Sequence, residues 1–246
     1  MSENLKNRIE KFFKDTPDLS TPTPSLKKDF SSKRVLITAG ATIEDIDPVR
    51  YISNRSSGKM GVAIAKEAAL RGAEVTFIHA SLHVPVPALP NLTAIAVRSA
   101  DDMYQAVMSK IQEQDLAIFV AAVCDFKPKR FSEQKLKKRA GRACPLNNIE
   151  WVKTPDILAA VGKLEKRPFL VGFAAESEDI IKNAKKKLTS KKCDMICVND
   201  ISKSESGFEV DNNQITLITN SKITPLPLMT KDATAEAILS AISKAL

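Results

Sequence analysis

The sequence predicts an α/β fold built on a doubly wound, mainly parallel sheet. Short apolar runs rich in β-branched residues alternate with stretches of helical periodicity from residue 34 onward. The apolar runs are nearly continuous, which is typical of strands buried on both faces. Together these observations favour a Rossmann-like sheet with helices on both faces, a flexible basic flap, and a C-terminal addition made of a hairpin and a helix.

Each predicted element has a recognisable boundary. The first strand covers residues 35–39 and ends at Gly40, and the first helix stops at Gly72, a good C-terminal signal. Further strands are expected at residues 75–78, 92–97, 116–122, 169–173 and 195–198. A hairpin is expected across residues 211–213, and helices are expected at residues 58–72, 100–114, 155–164, 178–188 and 232–244.

One folded domain, residues 34–246, is expected after a flexible leader, residues 1–33. The leader is rich in proline, serine and threonine, and it lacks the apolar core of a signal peptide. No run of about 18 apolar residues occurs in the chain, so no membrane partner is expected. The four cysteines include no Cys-x-x-Cys pair, which favours free thiols in a reducing compartment. We therefore expect a cytoplasmic protein.

The net charge of +8 is concentrated in two basic segments. Residues 127–142 hold eight Lys or Arg and one acid, and residues 182–192 hold six lysines and no acid. Two such clusters suit a concentrated anion such as a polyphosphate, although a solvated basic surface gives the same pattern. A nucleic-acid-binding module would also explain the charge, but aromatic residues make up only 5% of the chain. We therefore expect no nucleic-acid partner.

Three polar segments follow predicted parallel strands, at residues 38–42, 121–126 and 198–200. In open parallel sheets, ligands bind beyond the carboxyl ends of the strands. The first strand is not followed by Gly-x-Gly-x-x-Gly, which argues against the competing NAD-type oxidoreductase. Ser57-Gly58-Lys59 lacks the preceding glycine and the following Ser or Thr of a Walker loop. A nucleotide that binds here must therefore be held by another design.

The most unusual segment is residues 47–61, which we interpret as a polar loop before a helix of small residues. Helix N-termini offer unpaired N–H groups to anions, and Ser56 or Ser57 could cap this helix. Asn54 could donate a hydrogen bond to a carbonyl oxygen or an oxyanion. The alternative is an ordinary capped loop between a strand and a helix, so these residues alone leave the function of the segment open.

Six ordered motifs resemble those of bacterial phosphopantothenoylcysteine synthetases, and the resemblance covers roughly residues 34–243. The first is the loop at residues 50–61, which reads RYISNRSSGKMG. The others read AAVCDF, KLKK, KTPDIL, VGFAAE and FEVDNN, at residues 121–126, 135–138, 153–158, 171–176 and 208–213. Any one motif would be weak, but six in order with matching gaps make the resemblance specific.

The resemblance implies a ligase of coenzyme A biosynthesis that joins 4′-phosphopantothenate to L-cysteine. It implies CTP as co-substrate with Mg²⁺, an acyl-cytidylate intermediate, release of CMP and pyrophosphate, and a homodimer. Only the leader precedes the first strand, so we expect no flavin and a separate phosphopantothenoylcysteine decarboxylase as partner. Ala41 departs from the family, which usually has proline there, but this removes no reacting group.

The resemblance also implies roles for single residues. Asn54 matches the residue that holds the acyl-nucleotide, with a loop-capping asparagine as the alternative. Lys135 matches a catalytic lysine on a flap that closes over the nucleotide, with a solvated basic loop as the alternative. Arg50, Asn54 and Ala122 are implied to bind substrate, Arg50 across a dimer unless it forms only a surface salt bridge. The implied nucleotide-binding residues are Phe119, Val120, Ala121, Asp125, Lys135, Pro155, Asp156, Ile157, Leu158, Phe173, Lys187 and Lys191. No residue is assigned to the metal.

Overall fold

The computed structural model describes residues 27–137, 145–201 and 210–246. The strands in this part of the chain are β1 (Arg34–Ala39), β2 (Ile43–Asp47), β3 (Arg50–Ser53), β4 (Glu74–His79), β5 (Leu92–Ala96), β6 (Leu116–Phe119), β7 (Phe126–Pro128), β8 (Trp151–Lys153), β9 (Phe169–Glu176), β10 (Met195–Asp200), β11 (Asn212–Asn213), β12 (Ile215–Ile218), β13 (Ile223–Pro225) and β14 (Met229–Thr230). The α-helices are α1 (Lys59–Leu70), α2 (Ala100–Lys110), α3 (Ile157–Gly162), α4 (Ile180–Ser190) and α5 (Lys231–Ser243). Short 3₁₀ turns occupy Ile111–Glu113 and Pro145–Asn148.

The central sheet has eight strands in the order β13-β12-β10-β9-β6-β1-β4-β5. The six strands from β10 to β5 run parallel, and β12 and β13 are added antiparallel at one end. Apart from the edge strand β5, the parallel strands are largely buried on both faces, which explains their continuous apolar sequences. The predicted mainly parallel α/β sheet is confirmed.

Helices cover both faces of the sheet, as a doubly wound fold requires. One face packs against α1 and α5 through residues such as Ile64, Ala68 and Ile238. The other face packs against α2, α3 and α4 through residues such as Val107 and Leu188. The small residues of α1 let this helix approach the first strand closely: a Cβ placed on Gly61 would lie 2.5 Å from the Cβ of Ala39. Close packing therefore fixes where α1 begins relative to the end of β1.

Two predictions about local structure are wrong. The predicted hairpin across residues 211–213 does not form, because β11 pairs with β14. The hairpin is instead the β12–β13 pair, whose turn is closed by the Thr219 N–H bonded to the carbonyl of Lys222 at 2.9 Å. Residues 50–53, predicted as part of a loop, form β3 and pair with β2. The turn between β2 and β3 is fixed by Asp47, whose Oδ1 accepts hydrogen bonds from the next backbone N–H groups.

The segment just before β1 packs with the rest of the fold. Residues 1–26 of the predicted leader lie outside the described part of the chain. Phe30 is only 1% exposed, belongs to the same cluster as α1 and α5, and lies under the guanidinium of Arg71. Asp29 forms an ion pair with Arg71, whose side chain is also 1% exposed. Residues 29–30 are therefore held by the core, although they were predicted to belong to the flexible leader.

Two further predictions concern the basic flap and the absence of a membrane span. The end of the predicted basic flap, residues 138–142, lies outside the described residues. Within the ranges that the structure describes, none of the helices has the length and hydropathy needed to span a bilayer.

Candidate functional site

Two adjoining cavities open at the carboxyl ends of β1, β6, β9 and β10, where parallel sheets bind ligands. The first cavity, of about 330 Å³, is bordered by the start of α1 and by residues 120–123. The second cavity, of about 520 Å³, lies between residues 153–158 and α4. Both are lined by Ala121, Val123, Asp125, Phe173 and Lys187, so they form one continuous cleft.

Most of the predicted site residues line this cleft, and two do not. Those in the first cavity are Asn54, Val120 and Ala122, and those shared by both cavities are Ala121, Asp125, Phe173 and Lys187. Those in the second cavity are Phe119, Pro155, Asp156, Ile157, Leu158 and Lys191. Arg50 and Lys135 line neither cavity. The topology brings together segments that lie more than 100 residues apart, and the roles of these residues stay predictions.

The N-terminus of α1 faces the first cavity without a side-chain cap. Gly58 is the N-cap residue, with φ of 75°, and no side chain accepts a hydrogen bond from the first turn. The predicted capping by Ser56 or Ser57 is therefore wrong: the Ser56 Oγ reaches only the N–H of Gly58 itself, at 3.4 Å. A helix N-terminus in this state offers backbone N–H groups and a partial positive charge to a ligand.

Asn54 lies in the first cavity, next to the end of β6. Its Nδ2 is 3.3 Å from the carbonyl oxygen of Ala122 and 3.9 Å from the Sγ of Cys124. The Cys124 N–H in turn donates to the Oγ1 of Thr42 at 2.9 Å. Burial raises the pKa of the Cys124 thiol, so this group stays protonated and neutral at pH 7. The Asn54 amide is therefore a neutral hydrogen-bond donor, and the neighbouring Cys124 thiol adds no negative charge beside it.

The second cavity is built around the start of α3. Asp156 is the N-cap residue of this helix, and its Oδ1 accepts from the N–H of Ala159 at 3.0 Å. The same carboxylate forms an ion pair with Lys191. Burial acts to raise the pKa of Asp156, but the hydrogen bonds from Lys191 and Ala159 outweigh it, and the pKa is lowered. Lys191 is therefore already oriented at the mouth of the cavity.

Lys187 stands where the two cavities meet. Its Nζ donates to the carbonyl oxygen of Phe173 at 2.7 Å. Burial lowers the pKa of Lys187, because the charged ammonium has lost part of its hydration. An anion entering the cleft would replace some of the lost water and stabilise this charge.

Arg50 and Lys135 lie at the margin of the site. The guanidinium of Arg50 binds Asp47 through Nε at 3.0 Å and Nη2 at 2.5 Å, and its Nη2 also donates to the carbonyl of Leu136 at 2.8 Å. The Leu136 N–H donates to the same Asp47 carboxylate at 3.1 Å. Arg50 is the first cause of the lowered pKa of Asp47. The neighbouring Lys135 side chain is exposed. Arg50 therefore forms an ion pair within the chain and anchors Leu136 of the flap, and its implied role in substrate binding stays a prediction.

Sequence reasoning gave no role to four polar residues that line the first cavity: Lys59, Asn199, Asn213 and Lys231. Lys59 and Asn213 fall inside motifs that were recognised, so the motif positions were a usable signal. Lys231 carries no local signal, because a lysine after the helix-capping Thr230 is unremarkable in sequence. Only the pairing of β11 with β14 brings it to the cleft.

The described residues contain no group of three or more His, Cys, Asp or Glu side chains arranged to hold a metal ion. The Oδ1 of Asn213 is buried and has no hydrogen-bond partner among the residues that the structure describes. A hard cation such as Mg²⁺ takes oxygen ligands and is often bound mainly by substrate phosphates with few protein ligands. The described residues thus form no metal site by themselves, and a cation of this kind would be held mainly by the phosphates of a ligand, with Asn213 as a neighbouring oxygen.

The fold and the cleft define an α/β protein with a polar, lysine-rich ligand site at the carboxyl edge of a parallel sheet. A family model, the DNA/pantothenate metabolism flavoprotein C-terminal domain, matches residues 30–246. The chain belongs to this family, which confirms the resemblance carried by the six motifs.

Curated relatives support the same family assignment. The chain is 47% identical over 211 residues to the coenzyme A biosynthesis bifunctional protein CoaBC of Vibrio cholerae, covering 85% of this chain and 52% of that protein. It is 40% identical over 226 residues to the protein of the same name from Escherichia coli, covering 92% of this chain and 55% of that protein. The chain thus spans about half the length of the curated relatives it matches.

Solved structures have the same fold. The crystal structure of the C-terminal domain of CoaBC superposes with a TM-score of 0.74 at 36% identity, covering 89% of this chain and 98% of that one. A Cab2 variant in complex with phosphopantothenate-cysteine superposes with a TM-score of 0.66 at 16% identity, covering 87% of each chain. The second likeness is one of fold alone.

Proposed function

We propose that this chain is a phosphopantothenate–cysteine ligase that uses CTP. The observation that carries the proposal is the continuous cleft, in which a neutral donor, Asn54, and a buried cation, Lys187, face adjoining cavities. The relatives named for coenzyme A biosynthesis supply the substrate class. A cleft with two compartments suits a reaction in which a nucleotide and an acyl donor must meet.

In this proposal the nucleoside of CTP occupies the second cavity. Residues 155–158 and Phe173 line it, and backbone groups near the start of α3 can read the base. Lys187 and Lys191 lie on the side of the cavity that meets the phosphates. When the nucleotide binds, the Lys191 ammonium donates a hydrogen bond to a phosphate oxygen in place of one to Asp156. The new hydrogen bond is charge-assisted, as the old one was.

The chemical step takes place between the cavities, beside Asn54 and Ala122. The carboxylate of 4′-phosphopantothenate attacks the α-phosphorus, pyrophosphate leaves with the electron pair of the broken P–O bond, and an acyl-cytidylate remains. The amine of L-cysteine then attacks the acyl carbon and CMP leaves. Asn54 Nδ2 donates to the acyl oxygen, where negative charge grows as the amine adds. A neutral donor is suited to this role because it introduces no competing acid or base.

A magnesium ion, when bound, would neutralise phosphate charge and so aid the departure of pyrophosphate. Asn213 would supply a protein oxygen to it. Lys135, on the flap that Arg50 anchors through Leu136, would reach the nucleotide when the flap closes and would help to exclude water from the acyl-cytidylate.

We also propose a homodimer and a partnership with a decarboxylase that accepts the product. Large apolar side chains are exposed on β3, β7 and β8 and in the β2–β3 turn, including Tyr51, Phe126, Trp151 and Val49. Large exposed apolar side chains can mark an interface between subunits. Arg50 lies on β3, so a second subunit docked there would bring its own cleft close to this arginine.

The test is pyrophosphate release by the purified protein with 4′-phosphopantothenate, L-cysteine and Mg²⁺, and with either CTP or ATP. We expect release that requires phosphopantothenate and is faster with CTP. A preference for ATP would retain the ligase and overturn the choice of nucleotide. No release with either nucleotide, from folded protein, would refute the proposed activity.

A further inference from the structure

The described part of the basic flap is fastened to β2 and its turn at two points. At the first point, the Ser132 N–H donates to the carbonyl oxygen of Ile46 at 3.0 Å. At the second, the Leu136 N–H donates to the Asp47 carboxylate at 3.1 Å, and the Leu136 carbonyl accepts from Arg50 Nη2 at 2.8 Å. Both backbone groups of Leu136 are thus satisfied by side chains, where a sheet would use a neighbouring strand. The position of Leu136 therefore depends on the ion pair between Asp47 and Arg50.

The two oxygens of the Asp47 carboxylate have separate tasks. Oδ1 accepts from the N–H groups of Val49 and Arg50, both at 2.9 Å, and so fixes the turn between β2 and β3. Oδ2 accepts from Arg50 Nε at 3.0 Å, from Arg50 Nη2 at 2.5 Å and from the Leu136 N–H. The Asp47 side chain is fully buried, so water does not replace a contact that is lost there. A change confined to the second oxygen should therefore keep the turn and release both Arg50 and Leu136.

The junction formed by Asp47, Arg50 and Leu136 stands between two groups assigned to the proposed reaction. On one side, β3 leads from Arg50 to Asn54, which lies in the first cavity. On the other side, Lys135 directly precedes Leu136 in the chain. Asp47 itself lines neither cavity, so it acts on the cleft only through its partners.

We propose that Asp47 is a positioning residue that holds Arg50 and the Lys135 region of the flap in place for the ligase reaction. The inference rests on the proposed function. With Leu136 held, the acyl-cytidylate is attacked by the cysteine amine. With Leu136 released, water attacks the acyl carbon, CMP leaves with the electron pair of the broken acyl C–O bond, and a proton of the water passes to solvent. This regenerates 4′-phosphopantothenate, so CTP is consumed without formation of the product.

The ratio of pyrophosphate released to phosphopantothenoylcysteine formed tests this role, because a merely structural residue would lower both equally. We expect the wild type to form the two in equal amounts. Asp47→Asn keeps an oxygen for the turn and places an NH₂ group against Arg50 and Leu136, so we expect it to release pyrophosphate in excess. The matched control is Asp45→Asn on the same strand, whose carboxylate binds Arg98 at 2.7 Å. This control should keep the two products equal.

Hydrogen exchange of the Leu136 backbone N–H, followed by NMR, gives a second readout that requires no activity. One lost hydrogen bond to a charged group shifts an opening equilibrium by roughly tenfold to hundredfold. We therefore expect this N–H to exchange at least about tenfold faster in Asp47→Asn than in the wild type. In Asp45→Asn it should exchange at the wild-type rate.

The outcomes separate this inference from the proposed function. Equal products in Asp47→Asn, or an unchanged exchange rate at Leu136, would overturn the positioning role while the ligase stands. Faster exchange in Asp47→Asn, with no pyrophosphate released by the folded wild type, would uphold the anchoring of Leu136 and refute the ligase. If Asp47→Asn does not fold, Leu136→Pro removes the N–H that donates to Asp47 and leaves the carboxylate in place. Equal products from that variant would likewise overturn the role.

Discussion

The ion pair between Asp29 and Arg71 should contribute measurably to stability, because it fixes the segment before β1 to the buried face of α1 and α5. The Asp29 Oδ1 accepts from the Arg71 Nε at 2.8 Å, and the guanidinium also donates to the Oγ of Ser240 at 3.1 Å. The Arg71 contact is the main cause that lowers the pKa of Asp29 from 3.8 to about 2. At about 1.4 kcal/mol per unit, this shift corresponds to at most about 2.5 kcal/mol before solvent screening.

Asp29→Asn is therefore expected to lower the free energy of unfolding at pH 7 by about 1–2 kcal/mol, the lower end reflecting the 30% exposure of the carboxylate. The pKa of Asp29 is depressed in the folded state, so its contribution is present above pH 4 and is lost as the pH falls toward 2. Urea unfolding followed by circular dichroism should show the difference between wild type and variant shrinking over that range. Glu165→Gln, at an exposed site, is the control. Equal stabilities at pH 7, or a difference independent of pH, would refute this reasoning.

Three further perturbations test the cleft. Asn54→Ala should lower the rate of product formation about 10²–10³-fold with little effect on nucleotide affinity, as expected for a lost oxyanion donor; steady-state kinetics and CTP titration check this, and an unchanged rate would contradict the proposed role of Asn54. Gly61→Ala should destabilise the protein by roughly 1–3 kcal/mol, because the new Cβ would meet Ala39 at 2.5 Å, and a neutral result in urea unfolding would contradict the close packing. Lys187→Met should raise the melting temperature of the unliganded protein, since burial disfavours its charge, and should weaken CTP binding; a lower melting temperature would show that the charge is stabilised within the unliganded protein.

Much of the fold follows from local patterns in the sequence. The continuous apolar runs predicted β1, β4, β6, β9 and β10, and Gly72 correctly marked the end of α1 within two residues. Parallel topology alone then predicted that polar segments after these strands converge, as they do in the cleft. These features depend on short-range periodicity and on a general rule of sheet topology.

The errors involve long-range pairing, which a local pattern does not encode. Asn212-Asn213 has turn-forming residues, but these residues pair with Met229–Thr230, which lies 16 residues or more away. Phe30 follows a segment rich in proline and serine, but it is buried in the core cluster of α1 and α5, with Arg71 over its ring. Arg50 was placed in a loop because polar residues surround it, whereas Asp47 closes a tight turn that starts β3. In each case a tertiary partner decides the outcome.

The central claim, activation of the acyl donor by attack on the α-phosphate, can be tested directly with 4′-phosphopantothenate labelled with ¹⁸O in its carboxylate. After turnover with CTP, L-cysteine and Mg²⁺, mass spectrometry of the nucleotide product should find one ¹⁸O atom transferred to CMP and none to pyrophosphate. Unlabelled CMP, or label in inorganic phosphate accompanied by CDP, would contradict an acyl-cytidylate and the assignment of Asn54 to its acyl oxygen.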